Sequence, residues 1–135
     1  MSWRFYEMAL PTSCGVLTTW LAGIQPRKRQ TKVREKLKAR LQGMQTLNQG
    51  EWPTTWTKKL EGFRRIFEMR FEVMNVQYRP LFFFGVEQQV IFVFPALEIG
   101  DDFKPPDAPE RADARRQSII AGRTKTYEID IFSLV

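Results

Sequence analysis

Residues 67–94 read FEMRFEVMNVQYRPLFFFGVEQQVIFVF, and this stretch limits the fold more than any other part of the chain. It lies within three runs rich in aromatic and β-branched residues, at about 64–73, 78–84 and 89–98, joined by MNVQ (74–77) and GVEQ (85–88). Connections this short cannot carry a crossover, so the runs are expected to be antiparallel neighbours in one sheet. The second and third runs are apolar at successive positions, as central strands covered on both faces are. Pro80 has no N–H to give to a ladder, which implies a bulge or a local edge beside it.

The flanks supply the other layers. SWRFYEMAL (2–10) alternates in polarity and reads as a first strand. GVLTTWLAGI (15–24) is a short apolar helix or a hydrophobic turn. From Gln25 to Leu47, Val33, Leu37, Leu41, Met44 and Leu47 recur at steps of three and four, the stripe of one helix. NQGEWPTTW (48–56) is a loop. Asp107 followed by Glu110 forms a D-x-x-E capping signature for a helix over about 108–121, closed by Gly122. TYEIDIFSL (126–134) alternates again as a last strand. No repeat or linker interrupts this order, so residues 1–135 are expected to form a single domain. The expected class is α+β, an antiparallel sheet of four to five strands with two N-terminal helices on one face and a C-terminal helix.

The chain contains no histidine and one cysteine, Cys14. Ser-His-Asp and Cys-His triads are therefore impossible, and the His/Cys zinc sets cannot be assembled. Chemistry must run on carboxylates, Lys, Arg, Tyr, Ser/Thr or a hard cation. Asp101, Asp102 and Asp107 could serve such a cation, although acids in a loop are more often solvated. Cys14 has no basic neighbour within its turn and reads as a packed thiol. A lone cysteine fits a reducing cytoplasm. No run of 18 apolar residues suggests a membrane span, and the N-terminus lacks a signal peptide's basic and apolar regions.

The charge is local. Pro26–Arg40 (PRKRQTKVREKLKAR) carries eight basic residues against Glu35, a net +7 beside +6 for the whole chain. This helix can be a solvated surface or can contact a polyanion. The four tryptophans can stack on bases, but core or rim packing is the commoner use.

Arg70 and Arg79 stand inside the apolar strands, and arginine is rarely buried unless paired. If MNVQ is a four-residue loop with Val73 facing Tyr78, then Glu72 faces Arg79 and Arg70 faces Leu81. Arg70, Glu72 and Arg79 then share a face, with the two arginine α-carbons about 7–8 Å apart. Phe67, Met69, Phe71 and Val73 take the other face, under the helices. The arginines can form a cross-strand ion pair with Glu72, or can grip a phosphate, which the planar guanidinium suits.

Three sequence words carry a family resemblance: FEMRF (67–71), YRPLFFF (78–84) and FKPPDAPERADARR (103–116). With the order of strand, two helices and three antiparallel strands, the chain resembles the RelE/ParE superfamily of toxins from type II toxin–antitoxin systems, and within it the HigB-like, phage-derived branch. The resemblance covers roughly residues 50–120. It implies a small cytoplasmic endoribonuclease without cofactor or metal, cutting mRNA on the ribosome and held inactive by a cognate antitoxin, a helix-turn-helix protein. In the implied reaction the 2′-OH attacks the adjacent phosphate while Lys and Arg stabilise the developing charge. By position, Arg79 matches the phosphate-stabilising arginine, Arg70 a basic residue on the preceding strand, and Lys104 the basic position after the third strand. Arg115 and Arg116 in the closing helix, with Lys32, Lys36 and Arg40 in the basic helix, are the expected RNA contacts. Replacing Arg79 is expected to remove activity without unfolding the protein.

The chain departs from the family in three respects, one being that it runs about a strand longer than many members. Glu68 stands where the RelE branch has a lysine, and no Tyr or His follows Lys104 before Tyr127. These departures keep open a ParE-like gyrase inhibitor and a catalytically silent phage-derived protein that binds nucleic acid or a partner.

Overall fold

The computed structural model describes residues 2–6, 20, 24, 26–63 and 65–130. In chain order the elements are β1 (Ser2–Tyr6), α1 (Arg27–Thr46), a 3-10 turn (Gln49–Glu51), β2 (Thr57–Lys59), β3 (Phe67–Met69), β4 (Phe71–Val73), β5 (Val76–Phe84), β6 (Gln89–Ile99), β7 (Asp102–Lys104), α2 (Ala108–Ile120) and β8 (Thr126–Ile129). The strands form one sheet in the order β2-β3-β5-β6-β1-β8, with β4 also on β5 and β7 also on β6. The class is α+β as expected, but the sheet has eight strands, not four or five. It is not wholly antiparallel, because β1 runs parallel to β6. Among the described residues one full helix precedes the central strands, and Trp20 is itself helical. The proposed helix at 15–24 falls outside them except for Trp20 and Ile24, as do Cys14 and the ends of the first and last predicted strands.

The central strands are covered on both faces. Tyr78 and Phe82 of β5 and Val90 and Phe92 of β6 pack with Val33, Leu37, Leu41 and Met44, the predicted stripe of α1. Phe67, Met69, Phe71 and Val73 lie on this same face. Leu81 and Phe83, with Ile91, Val93, Phe94 and Ala96, pack with Ala108 and Ala112 of α2 on the other. Trp3, Trp20 and Trp52 are buried in the α1-side core, and the Trp52 indole donates to the Met44 carbonyl at 2.8 Å. α2 begins where Asp107 predicted, but without a side-chain capping bond. It ends at Gly122 (φ 74), whose N–H and that of Arg123 reach back to Ile119 and Ser118, a Schellman closure. No helix of the described residues is long and apolar enough to cross a membrane.

The β4–β5 turn is tighter than MNVQ suggested. Val73 faces Val76, leaving Met74 (φ 50) and Asn75 (φ 66) as the two turn residues. Positive φ at both fits a type I′ turn, whose twist matches the flanking strands. The pairing moves by two positions: Glu72 faces Gln77, Phe71 faces Tyr78 and Glu68 faces Leu81. A shift of two keeps every side chain on its expected face.

Pro80 explains why the predicted first run is two strands. In this register Met69 and Pro80 should exchange ladder bonds, and Pro80 has no N–H, so pairing lapses between β3 and β4. The expected irregularity follows immediately. Leu81 faces Phe94 while Phe82 faces Phe92, making Val93 an extra, bulged residue. Its carbonyl accepts a 2.7 Å bond from Arg115 Nη1 on α2.

Left-handed backbone costs an ordinary L-residue about 1–2 kcal/mol. Met74 bears that cost with its side chain exposed. Replacing Met74–Asn75 by Asn-Gly is expected to stabilise the protein by about 0.5–1 kcal/mol. An increased denaturation midpoint with unchanged cooperativity is the result to look for.

Candidate functional site

The register that relieves the turn also sets the charges. Continuing the β3 and β4 pairings across the gap puts Arg70 directly opposite Arg79, closer than the diagonal relation expected from sequence. Glu72 is displaced to Gln77, whose side-chain amide donates to it at 2.6 Å. The acid between the arginines is Glu68. It lies 3.7 Å from Arg70 Nε and 4.0 Å from Arg79 Nε.

Arg79 is only 5% exposed. Its Nη2 lies 2.6 Å from Glu98 Oε2 on β6 and donates to Gln77 Oε1 at 3.0 Å. Nη1 donates to the Tyr78 carbonyl at 2.8 Å. Its Nε is buried with no hydrogen-bond partner. Arg79 thus ties β3, β5 and β6 together beneath the surface. Arg70, by contrast, keeps about a third of its side chain exposed. Its backbone is held from the far side: the N–H donates to the Trp56 carbonyl at 2.7 Å and its own carbonyl accepts from Arg40 Nη1 at 2.9 Å.

Lys58 of β2 faces Glu68 across the sheet edge. Sequence reasoning missed both. β2 is too short to alternate visibly, but strand alternation already placed Glu68 on the face of Arg70, so that residue was legible. Lys58, Lys59, Arg70, Glu68, Glu98 and Phe103 are among the residues lining a cleft of about 290 Å³, which reaches Pro109 at the start of α2. Cations come to it from β2 and the β3–β4 gap, and acids from the β6–β7 turn (Asp101) and the start of β7 (Asp102). Burial pushes the Glu68 carboxyl above the ordinary range, with Glu98 adding to the rise, while Arg70, then Arg79 and Lys58, oppose it.

The other predicted residues lie elsewhere. Lys104 opposes Leu97, whose side chain packs on the α1 side, so it does not share a face with Arg70 and Arg79. Alternation is the reason: Phe103, not Lys104, pairs with Glu98. Arg115 stacks on Tyr6 and Phe94 besides holding the bulge. Arg116 is paired with Asp113 at 3.0 Å. Arg40 is half-buried over Trp56, 4.8 Å from the ring centre. Lys32 and Lys36 are exposed on α1. Among the described residues, no cluster of three His, Cys, Asp or Glu could hold a metal ion.

The chain matches no protein-family model, no curated protein and no solved structure.

The burial of Arg79 reverses the expectation that it can be removed harmlessly. Deleting one member of a buried, charged network leaves its partners uncompensated, at about 3–5 kcal/mol. Arg79→Ala should lose stability on that scale, whereas Arg70→Ala, which removes a partly exposed side chain at a longer contact, should lose clearly less. Urea titrations of the two variants give the comparison, and equal losses would contradict the assigned burial.

Proposed function

We propose that this chain is a RelE/ParE-type toxin of the HigB-like branch, a cytoplasmic endoribonuclease that cuts mRNA on the ribosome and is silenced by a cognate helix-turn-helix antitoxin. The observation that carries the reading is Arg70, opposed to Arg79 on one sheet face and exposed beside Lys58 in the cleft. A guanidinium and an ammonium at one mouth match a phosphodiester whose charge grows as the 2′-oxygen attacks. Arg79 acts from below as a positioning residue, since its own contacts are with Glu98, Gln77 and backbone.

Electrostatic attraction to rRNA falls to α1. Arg27, Lys28 and Arg29 occupy its first turn, which contains no acid. Cations there oppose the helix dipole, at about 0.3–1 kcal/mol each. A helix selected only for stability would not begin this way, and nearby phosphate would offset the cost. Lys32 and Lys36 extend the exposed basic surface. Arg115, Arg116 and Arg40 are engaged within the chain and contribute less.

A second reading, a nucleic-acid-binding protein without catalysis, is favoured by one observation: the carboxylates of Glu98 and Glu68 already neutralise Arg79.

Induction of the wild-type chain in bacteria should arrest growth and create new mRNA ends within translated codons. Arg70→Ala should abolish both while the purified variant stays folded. Intact messages during arrest would reject the nuclease reading, and intact messages with DNA damage would indicate a gyrase inhibitor. Reversing the charge of Lys32 and Lys36 should weaken ribosome co-sedimentation and flatten its salt dependence, by nearly one unit of log–log slope for each phosphate no longer neutralised. Unchanged co-sedimentation across salt would assign α1 to solvent or to the antitoxin.

A further inference from the structure

The chemistry proposed above relies on Arg70, yet little within the chain holds its guanidinium. Its contact with Glu68 is 3.7 Å, beyond hydrogen-bond reach, and among the described residues the guanidinium makes no hydrogen bond. The backbone therefore sets where the side chain projects. That backbone lies in the β3–β4 gap, where the ladder to β5 lapses. On the side away from β5 its neighbour is Trp56, because Thr57 of β2 already faces Met69. A hydrogen-bonded antiparallel pair exchanges two bonds. Trp56 supplies one, its carbonyl accepting from the Arg70 N–H at 2.7 Å. It cannot supply the second, since its own N–H donates to the Pro53 carbonyl at 2.9 Å. Arg40 of α1 takes that place, donating from Nη1 to the Arg70 carbonyl at 2.9 Å.

The Arg40 guanidinium is itself seated. It lies over the Trp56 ring, 4.8 Å from the ring centre. Three residues on, Gly43 leaves the space that ring occupies: a Cβ there would stand 2.9 Å from Trp56 Cη2. Glycine inside a helix is less stable than alanine, so helix stability does not account for Gly43, whereas room for Trp56 does. We propose that Arg40, stacked on Trp56, is a positioning residue: it closes the backbone pair that Trp56 leaves half made, and so aims the Arg70 guanidinium into the cleft. The inference rests on the ribonuclease reading and extends it, and it gives Arg40 a task other than touching RNA. α1 packs on the face away from the cleft, so the clamp reaches Arg70 through its main chain and needs no contact with substrate. Lysine cannot replace arginine here, because a point charge does not stack flat on a ring while donating sideways to a carbonyl.

The test compares the full wild-type chain with Arg40→Lys, which keeps the charge, and Gly43→Ala, which alters no charge and displaces Trp56. Single-turnover cleavage of a defined mRNA is measured at saturating programmed ribosomes, with co-sedimentation across salt alongside. Both variants should cut about 10- to 100-fold more slowly, while co-sedimentation and its salt slope stay as in wild type. A second readout is independent of activity: the ¹⁵N heteronuclear NOE at Arg70 Nε in the free protein should fall in both variants, with the amide spectrum otherwise retained. Wild-type rates in both variants, or an unchanged NOE at Arg70 Nε, would overturn the proposal. So would weaker co-sedimentation by Arg40→Lys with a wild-type rate once bound, which would make Arg40 an RNA contact. A wild-type chain that cuts no RNA would overturn the ribonuclease reading instead, and the NOE would then decide the positioning by itself.

Discussion

The two-residue turn at Met74–Asn75 is the constraint on which the rest depends. A two-residue hairpin fixes which residues face each other, and the side-chain period of a strand is two. The register it sets places Arg79 on the face away from α1, opposite Arg70 and diagonal to Glu68. A slip of one residue would bring the guanidinium into the cluster of Phe82, Phe92 and Leu41, with no carboxylate to meet it. Burying an unpaired charge costs far more than the left-handed backbone at the turn, so register and charge placement reinforce each other.

The sheet face that carries the site is divided along the strands. Under α2 it is apolar, built from Leu81, Phe83, Ile91, Val93 and Ala96. Toward the β4–β5 turn it becomes charged, through Glu68, Arg79 and Glu98. The change of character falls at Pro80 and the bulge. Without the Pro80 N–H the β3–β5 ladder lapses between Met69 and Pro80, and beside that gap the Arg70 carbonyl, which points away from β5, accepts from Arg40 on α1. The bulge is closed in a comparable way, by Arg115 from α2. Arg40 and Arg115 are thereby held by backbone carbonyls within the fold.

Much of this was legible in the residues. The α1 stripe, the three central strands, their coverage on both faces, the end of α2 at Gly122 and the irregularity beside Pro80 follow from periodicity and from the chemistry of glycine and proline. The short strands β2 and β7 were not legible, because three residues carry no period. Parallel pairing of β1 with β6 depends on contacts remote in sequence. At the site, the shared face of Arg70 and Arg79 followed from alternation together with the even length assumed for the connection between them. The face of Lys104 was not legible because its strand was unseen, and one residue of parity separates it from Phe103. Glu68 was read as a departure from a pattern when its parity already set it beside Arg70. Burial was the missing quantity, and no local pattern reports that Arg79 lies beneath the cleft and Arg70 within it.

The charge balance of the cleft bears on how the proposed activity would be organised. Its acids include Glu68, Glu98, Asp101 and Asp102, so its cations do not make it a basic patch. Strong polyanion affinity cannot originate there. The segment that contains α1 holds the chain's whole excess of positive charge, and α1 packs on the opposite face of the sheet. Long-range attraction belongs to exposed, like-signed charge and is screened by salt. Work on a single phosphodiester belongs to a few shielded groups of both signs, which salt affects little. On the proposed reading, binding and chemistry are thus separated on two faces of one sheet.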